Sequence, residues 1–448
     1  MATDQPIDRA SPADRAMAAM GRRGRPGQLG VLLLLGTGPA DDLHAVERLL
    51  VSRLASVPRL RRRLLAALPL AGPPVWVDDP AFAPDRHVRH LPWPGPGEED
   101  ALLGLAADVV GRRLPRDRPL WSATILTGYR RAAVLLVVDH AVLDGIGGMA
   151  VLDRLLDGHD APPVGSPAGT SRPAYARLVA DAWRARIAGV RRLRRALPEL
   201  RRALSAGGGA HPGAAAPCSL LAPTGGRVAL AVARAALAPL RATAHRSGAS
   251  VNDALLAAVA AALGDLLRHR GEHLDVLRVA VMVSGRRTAR ADRPGNAAAP
   301  LVVAVPVGGG AEEGLRTVAG VVAARREQAA GPSLPALLGP VFRVLAAGGC
   351  YRWYLRRQRR MHTLVSDVAG PPVPRSLGGV PVTAVVPVAV GESGNLTVSF
   401  TALSYAGTLT VTAVADAGAV TDLPVLREAL QRRLDELAGV SPGTARRG

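Results

Sequence analysis

A chain of 448 residues, 48% of them hydrophobic, is too long for one ordinary core and has the apolar content for two or three. Its formal charge of +20 is carried by arginine alone, since no lysine occurs. Such an excess of base favours anionic partners, acidic lipid or a phosphorylated carrier before nucleic acid, for which no zinc-finger spacing, aromatic RNA-binding motif or recognition-helix motif is present.

Cys218 and Cys350 are too few for a disulfide framework or a cysteine metal site. The acidic, polar N-terminus is unlike a signal peptide. No run reaches the roughly 18 apolar residues of a spanning helix. The expectation is a cytoplasmic protein that can rest on a membrane surface without crossing it.

Ser11-Pro12-Ala13-Asp14 reads as a helix start, and Leu29 to Leu35 as a strand. Asp41 to Leu54 follows as a helix, with Leu43, Val46, Leu49, Leu50 and Leu54 at helical spacing. The arginine run Arg59 to Arg63 predicts a solvated face. Pro74 to Asp79 predicts an exposed edge strand, and Phe82 to Pro94 a loop punctuated by proline. Ala101 to Arg113 is a further helix, ended by Pro115. Ala132 to Val138 is a short apolar run rich in β-branched residues, as in a buried strand. Gly147 to Leu156 then places Met149, Leu152, Leu155 and Leu156 on one helical face. His140 therefore stands where a core strand ends, four residues before Asp144 and Gly145.

Two breaks come next, over 160–173 and 205–217, and the second sets the expected boundary between residues 1–204 and 218–448. Between the breaks, Ala174 to Leu204 is a basic helix candidate whose Trp183 is expected to pack inward. The second half predicts strands at Arg227 to Ala233, Val279 to Val283, Leu301 to Val307, Val380 to Val388, Leu396 to Phe400 and Leu409 to Val414. Its predicted helices lie at Leu237 to His245, Ala254 to Leu267, Leu315 to Gln328 and Pro424 to Leu437. Ser250 and Asp253 form a capping-box-like start to the second of these helices. Tyr351 to Arg360 is a second basic-aromatic helix candidate. Basic helices with interfacial aromatics suit an anionic lipid surface.

Several stretches in order resemble the wax ester synthase/diacylglycerol acyltransferase family. They include Val75 to Phe82, Arg86 to His90, Arg118-Pro119-Leu120-Trp121, and Asp139-His140-Ala141-Val142-Leu143-Asp144-Gly145 against the family's HHxxxDG signature. In the second half they are Asn252-Asp253, Val283 to Arg286, Gly295-Asn296, Ser366 to Pro371 and Ser404 to Gly407. Two positions depart from the pattern: Asp139 replaces the first histidine, and Asp367 replaces a usual asparagine.

The resemblance implies an α/β fold of two chloramphenicol-acetyltransferase-like subdomains, mixed sheets flanked by helices with a tunnel between them. It also implies transfer of a fatty acyl group from acyl-CoA to a long-chain alcohol or diacylglycerol, giving wax esters or triacylglycerol. No metal or permanently bound cofactor is implied. Contact with an anionic membrane or lipid-droplet surface is expected. An acyltransferase of specialised metabolism, and a lipid- or acyl-CoA-binding member without turnover, are the alternative readings.

An alcohol becomes a competent nucleophile as its proton is removed, and histidine titrates near working pH. His140 is therefore the candidate base. Asp144 is expected to fix the turn through an ion pair with Arg286, and Gly145 to give that turn its backbone freedom. Asn252 is a candidate either for steadying the oxyanion or for capping its helix. Successive strand residues face opposite sides, so Asp139 is expected to point away from the face that His140 takes.

Overall fold

The computed structural model describes residues 7–11, 14–15, 17–18, 21, 25–36, 40–66, 69–93, 99–128, 132–158, 173–189, 213–284, 298–308, 310–328, 350–391 and 394–440. In the first half, β1 (Gln28–Leu35) and α1 (Ala40–Ser56) precede β2 (Arg62–Leu65), β3 (Val75–Asp78) and β4 (Val88–Pro92). α2 (Glu99–Gly111), β5 (Trp121–Thr127), β6 (Ala132–Asp139) and α3 (Gly145–Leu155) follow, then a helix α4 over 175–189. The second half opens with β7 (Val228–Ala236), α5 (Leu237–Arg246), α6 (Val251–His269), β8 (Val276–Ser284), β9 (Ala298–Pro306) and α7 (Ala311–Gln328). It closes with α8 (Cys350–Arg356), β10 (Thr363–Ala369), β11 (Ser376–Leu377), β12 (Val380–Ala389), β13 (Val398–Tyr405), β14 (Thr408–Asp416) and α9 (Leu423–Leu437).

Two six-stranded mixed sheets result, with strand orders β11-β12-β1-β6-β5-β4 and β7-β14-β13-β10-β8-β9. β6 is central to the first and is buried on both faces, which is why it reads as an unbroken apolar run. Ala133, Leu135 and Val137 pack with Leu102, Ala106, Val109 and Val110 of α2. Val134, Leu136 and Val138 face the other way, towards Val46, Leu50 and Leu54 of α1 and Val151, Leu152 and Leu155 of α3. Each leucine and valine among them contributes roughly 1.5–3 kcal/mol by leaving water. The second sheet is covered by α5, α6, α7 and α9. The expected capping box opens α6: Ser250 Oγ accepts from Asp253 N at 3.2 Å, and Asp253 Oδ2 accepts from Ser250 N at 2.9 Å.

The chain crosses over between the sheets. β12 pairs antiparallel with β1, from Leu29 opposite Ala389 to Leu35 opposite Val382, so residues from the second half complete the first sheet. Of the expected linker, only 213–217 belong to the described residues.

Three local expectations are corrected. The Arg59 to Arg63 run is not a solvated face: Arg59 is buried 3.8 Å over the Trp76 ring and pairs with Asp8 and Asp14, while Arg62 pairs with Asp8 and Asp78. The counter-ions come from distant parts of the chain, so a charge run viewed alone looks hydrated. β3 is likewise no exposed edge, because Asp8 O accepts from Trp76 N at 2.8 Å and Leu178 of α4 packs on Val75 and Val77. The stretch read as a loop contains β4, held parallel to β5 with Val88 opposite Ala123.

On α4, Trp183 is 52% exposed rather than packed inward, beside an equally exposed Ile187. The rest of that basic helix candidate, 190–204, lies outside the described residues. Among the described residues no single helix is long and apolar enough to cross a membrane.

Candidate active site

β6 delivers its last residues to a tight turn. His140 N donates to Gly27 O at 2.7 Å, and Val142 N donates to Asp139 O at 2.8 Å. The strand's alternation runs on into this turn. Leu136, Val138 and His140 line one cavity of about 510 Å³, whereas Asp139 does not. Asp139 continues the face of Ala133, Leu135 and Val137. Its Oδ1 accepts from Ala141 N at 2.9 Å, and burial pushes its carboxyl pKa up. The face expected for each neighbour is the face it takes.

The cavity lies between the two sheets. β1, β6, β12 and the start of α3 form one wall; β10 and β13 form the other. Leu29, Val31, Leu143, Ile146, Met149 and Phe400 make it mostly apolar. Polar groups reach it at few points, among them Gln28, His140, Gln358, Ser366 and Asp367.

Asp144 is buried at the N-cap of α3, where Oδ1 accepts from Gly147 N at 2.8 Å. That bond satisfies an orphan donor of the helix and fixes the turn after His140. Its expected ion-pair partner, Arg286, lies outside the described residues, as do Gly295 and Asn296. Gly145 needs no unusual backbone angle, contrary to expectation. Its missing Cβ matters for packing instead, since a Cβ there would sit 3.2 Å from Val368 Cγ2 of β10. The glycine lets the two sheets close at the cavity. Asn252 lies in the first turn of α6 beside the capping box, and the structure does not bring it to the cavity wall.

Asp367 sits on β10, partly buried. Burial pushes its carboxyl up to about 6, opposed only by a hydrogen bond from the Val368 backbone. Its signal in the sequence is the departure from the family's usual asparagine. Arg25 and Gln28 carry no such local signal. The buried Arg25 guanidinium pairs with Asp416 at the end of β14 and donates to Val390 O at 3.0 Å. Gln28 Nε2 donates to Val110 O at 2.8 Å and Arg112 O at 2.9 Å, closing the C-terminus of α2.

The other histidines of note are structural. His87 is stacked on Trp121 with ring centroids 4.3 Å apart, and its Nδ1 donates to Trp121 O at 2.9 Å. His362 Nδ1 accepts from Arg278 N and its Nε2 donates to Ala216 O, both at 2.9 Å. Burial lowers both pKa values, favouring the neutral rings that these bonds require. Among the described residues no three His, Cys, Asp or Glu side chains are grouped to hold a metal ion.

Residues 10–255 match the family model for the wax ester synthase/diacylglycerol acyltransferase catalytic domain. The chain belongs to the wax ester synthase/diacylglycerol acyltransferase family. Residues 295–438 match the C-terminal domain of the same family. Membership makes the protein an acyltransferase, in a family that uses acyl-CoA as donor.

A probable diacylglycerol O-acyltransferase of Mycobacterium tuberculosis is 29% identical over 437 residues, covering 92% of each chain. A second putative one from that organism is 40% identical over 149 residues, 32% of this chain and 30% of the relative. Among solved structures, the wax ester synthase/diacylglycerol acyltransferase of Marinobacter aquaeolei superposes with a TM-score of 0.68 at 22% identity, over 96% of this chain and 100% of its own. The first condensation domain of a calcium-dependent antibiotic synthetase, solved with a substrate analogue, gives 0.62 at 22% identity, over 98% and 97%. These likenesses establish the fold expected for the family.

Proposed function

We propose that this acyltransferase moves a fatty acyl group from acyl-CoA to the hydroxyl of a long-chain alcohol or diacylglycerol, with His140 as general base. The observation that carries the reading is the position of His140 at the end of a buried strand, on the wall of an apolar cavity between the sheets. An imidazole nitrogen accepts the hydroxyl proton as the alcohol oxygen attacks the thioester carbonyl. The tetrahedral intermediate collapses, the C–S bond breaks, and the imidazolium returns the proton to the departing thiolate. Nothing in this route needs a covalent acyl-enzyme, because both substrates meet at one base.

Acyl-CoAs of graded chain length, assayed against long-chain alcohols and diacylglycerol by free CoA and lipid product, test the reading. His140→Ala is expected to lose about 10²-fold or more in turnover while acyl-CoA binding persists. Equal turnover in the variant and the wild type would remove His140 from the mechanism.

The exposed face of α4 supports peripheral contact with an anionic lipid surface. Trp183 and Ile187 are about half exposed, and the Arg186 guanidinium lies 5.0 Å from the Trp183 ring centroid. Sedimentation with phosphatidylglycerol vesicles checks this contact, and Trp183→Ala with Ile187→Ala is expected to weaken it. Unchanged sedimentation would place the contact elsewhere.

A further inference from the structure

The end of α8 and the turn that joins it to β10 have a three-residue rhythm. Leu355, Gln358 and Met361 turn inwards and line the same cavity as His140. Arg356, Arg357, Arg359 and Arg360, interleaved with them, are exposed. One short stretch thus contributes to the interior of the cavity and displays four guanidinium groups outside it.

The turn is held firmly. Gln358 is 3% exposed, and its Oε1 accepts from Arg360 N at 2.8 Å and from Met361 N at 3.2 Å. Gln358 Nε2 donates to Met361 O at 3.0 Å and to Asn395 Oδ1 at 2.9 Å, and Asn395 Nδ2 returns a bond to Gln358 O at 2.9 Å. Ala215 N donates to Arg359 O at 2.6 Å. A buried, fully bonded amide at the centre of a turn fixes where its flanking side chains emerge.

Several arginines elsewhere in the chain are paired with acids. Arg25, Arg59, Arg62 and Arg270 each face a carboxylate. Among the described residues none of Arg356, Arg357, Arg359 and Arg360 does; Arg357 lies 4.9 Å from the Trp353 ring centroid. Clustered like charges repel one another, so such a group suits an incoming polyanion. Guanidinium groups bind phosphate oxygens through paired N–H donors, with stronger directionality than an ammonium.

We propose that the turn Arg356 to Arg360 is the docking site for the phosphate-bearing nucleotide end of the acyl-CoA donor. The uncharged pantetheine arm then enters past Leu355, Gln358 and Met361, and the thioester lies on the side of the cavity lined by His140. The assignment rests on acyl-CoA being the donor, as set out under Proposed function. It adds which end of the cavity the donor enters and which residues select it.

Two variants test it, Arg356→Ala with Arg357→Ala and Arg359→Ala with Arg360→Ala, each assayed with acyl-CoA and with the matching acyl-pantetheine thioester, which lacks the nucleotide. Losing charge-assisted phosphate contacts is expected to raise KM for acyl-CoA about tenfold or more, with kcat little changed. KM for acyl-pantetheine should be the same in variants and wild type. Calorimetric titration of free coenzyme A should show the same loss of affinity without any turnover. An unchanged KM and an unchanged coenzyme A affinity in both variants would overturn the docking site while leaving acyl-CoA as the donor. A wild type that neither binds coenzyme A nor turns over acyl-CoA would overturn the donor reading and the docking site together. Vesicle sedimentation lost in the variants, with KM intact, would assign the arginines to a lipid surface and would also overturn the site.

Discussion

At the scale of single residues, the pair Asp139 and His140 carries the most information. One lies half-buried on the α2 side of its strand and the other lines the cavity. Strand alternation alone separates them, and this part of the site is legible without any partner being known. Asp367 makes the complementary case. Its residue type is visible in the sequence, but the burial that alters its chemistry depends on how β10 meets the cavity. Its carboxyl is raised from an ordinary 3.8 to about 6. A raised acid favours the folded state while protonated, so its contribution is complete below about pH 4 and is lost as pH rises through about 6. Asp367→Asn removes the ionisation. We expect urea midpoints of wild type to fall between about pH 5 and pH 7.5, and the variant to lack that component. At the upper pH the variant should be more stable by about 2–3 kcal/mol. Parallel pH profiles for the two proteins would mean that the carboxyl is hydrated in the fold.

Among the elements, those whose pattern is internal are the ones that the sequence reveals. β6 carries its own two-sided apolar run, and α6 announces itself through the Ser250–Asp253 cap. β3 is legible as a strand but not its covering by Asp8 and Leu178, and β2 and β4 are defined by what they pair with, β3 and β5, which no local periodicity reports. Asp144 lies between the two cases. It reads as a turn residue, and its bond to Gly147 N makes it the cap of α3, the element that borders the cavity directly after His140. Asp144→Ala should lower stability by about 1–2 kcal/mol through the lost cap, and should reduce turnover as the helix start loosens. Asp144→Asn keeps a capping acceptor and should recover most of the stability. Thermal melts of both variants beside their activities provide the check; equal melting temperatures in Asp144→Ala and wild type would count against the cap as the main role.

On the scale of the whole molecule, the two sheets are tied together at one buried ion pair. Arg25 precedes β1 of the first sheet, and Asp416 ends β14 of the second. Both side chains are almost completely enclosed, at 6% and 2% exposure. Removing one member leaves the other charge buried without its counter-ion. Arg25→Met or Asp416→Asn alone should cost on the order of 3–5 kcal/mol, and the double variant less than the sum of the two. Additive losses in chemical denaturation would mean that the two groups act separately.

The path of β12 sets an order of events during synthesis on the ribosome. β1 emerges early, and β6 pairs with one of its edges as soon as residue 139 is free of the exit tunnel. The opposite edge of β1 is filled by residues 382–389, which are made only after all of α5, α6, α7 and α8. For that whole interval the nascent first sheet carries an open, apolar strand edge, the kind of surface that recruits foreign strands. Nascent chains stalled before residue 380 should therefore depend on chaperones, and the cavity between the sheets exists only once the last third of the protein has been translated.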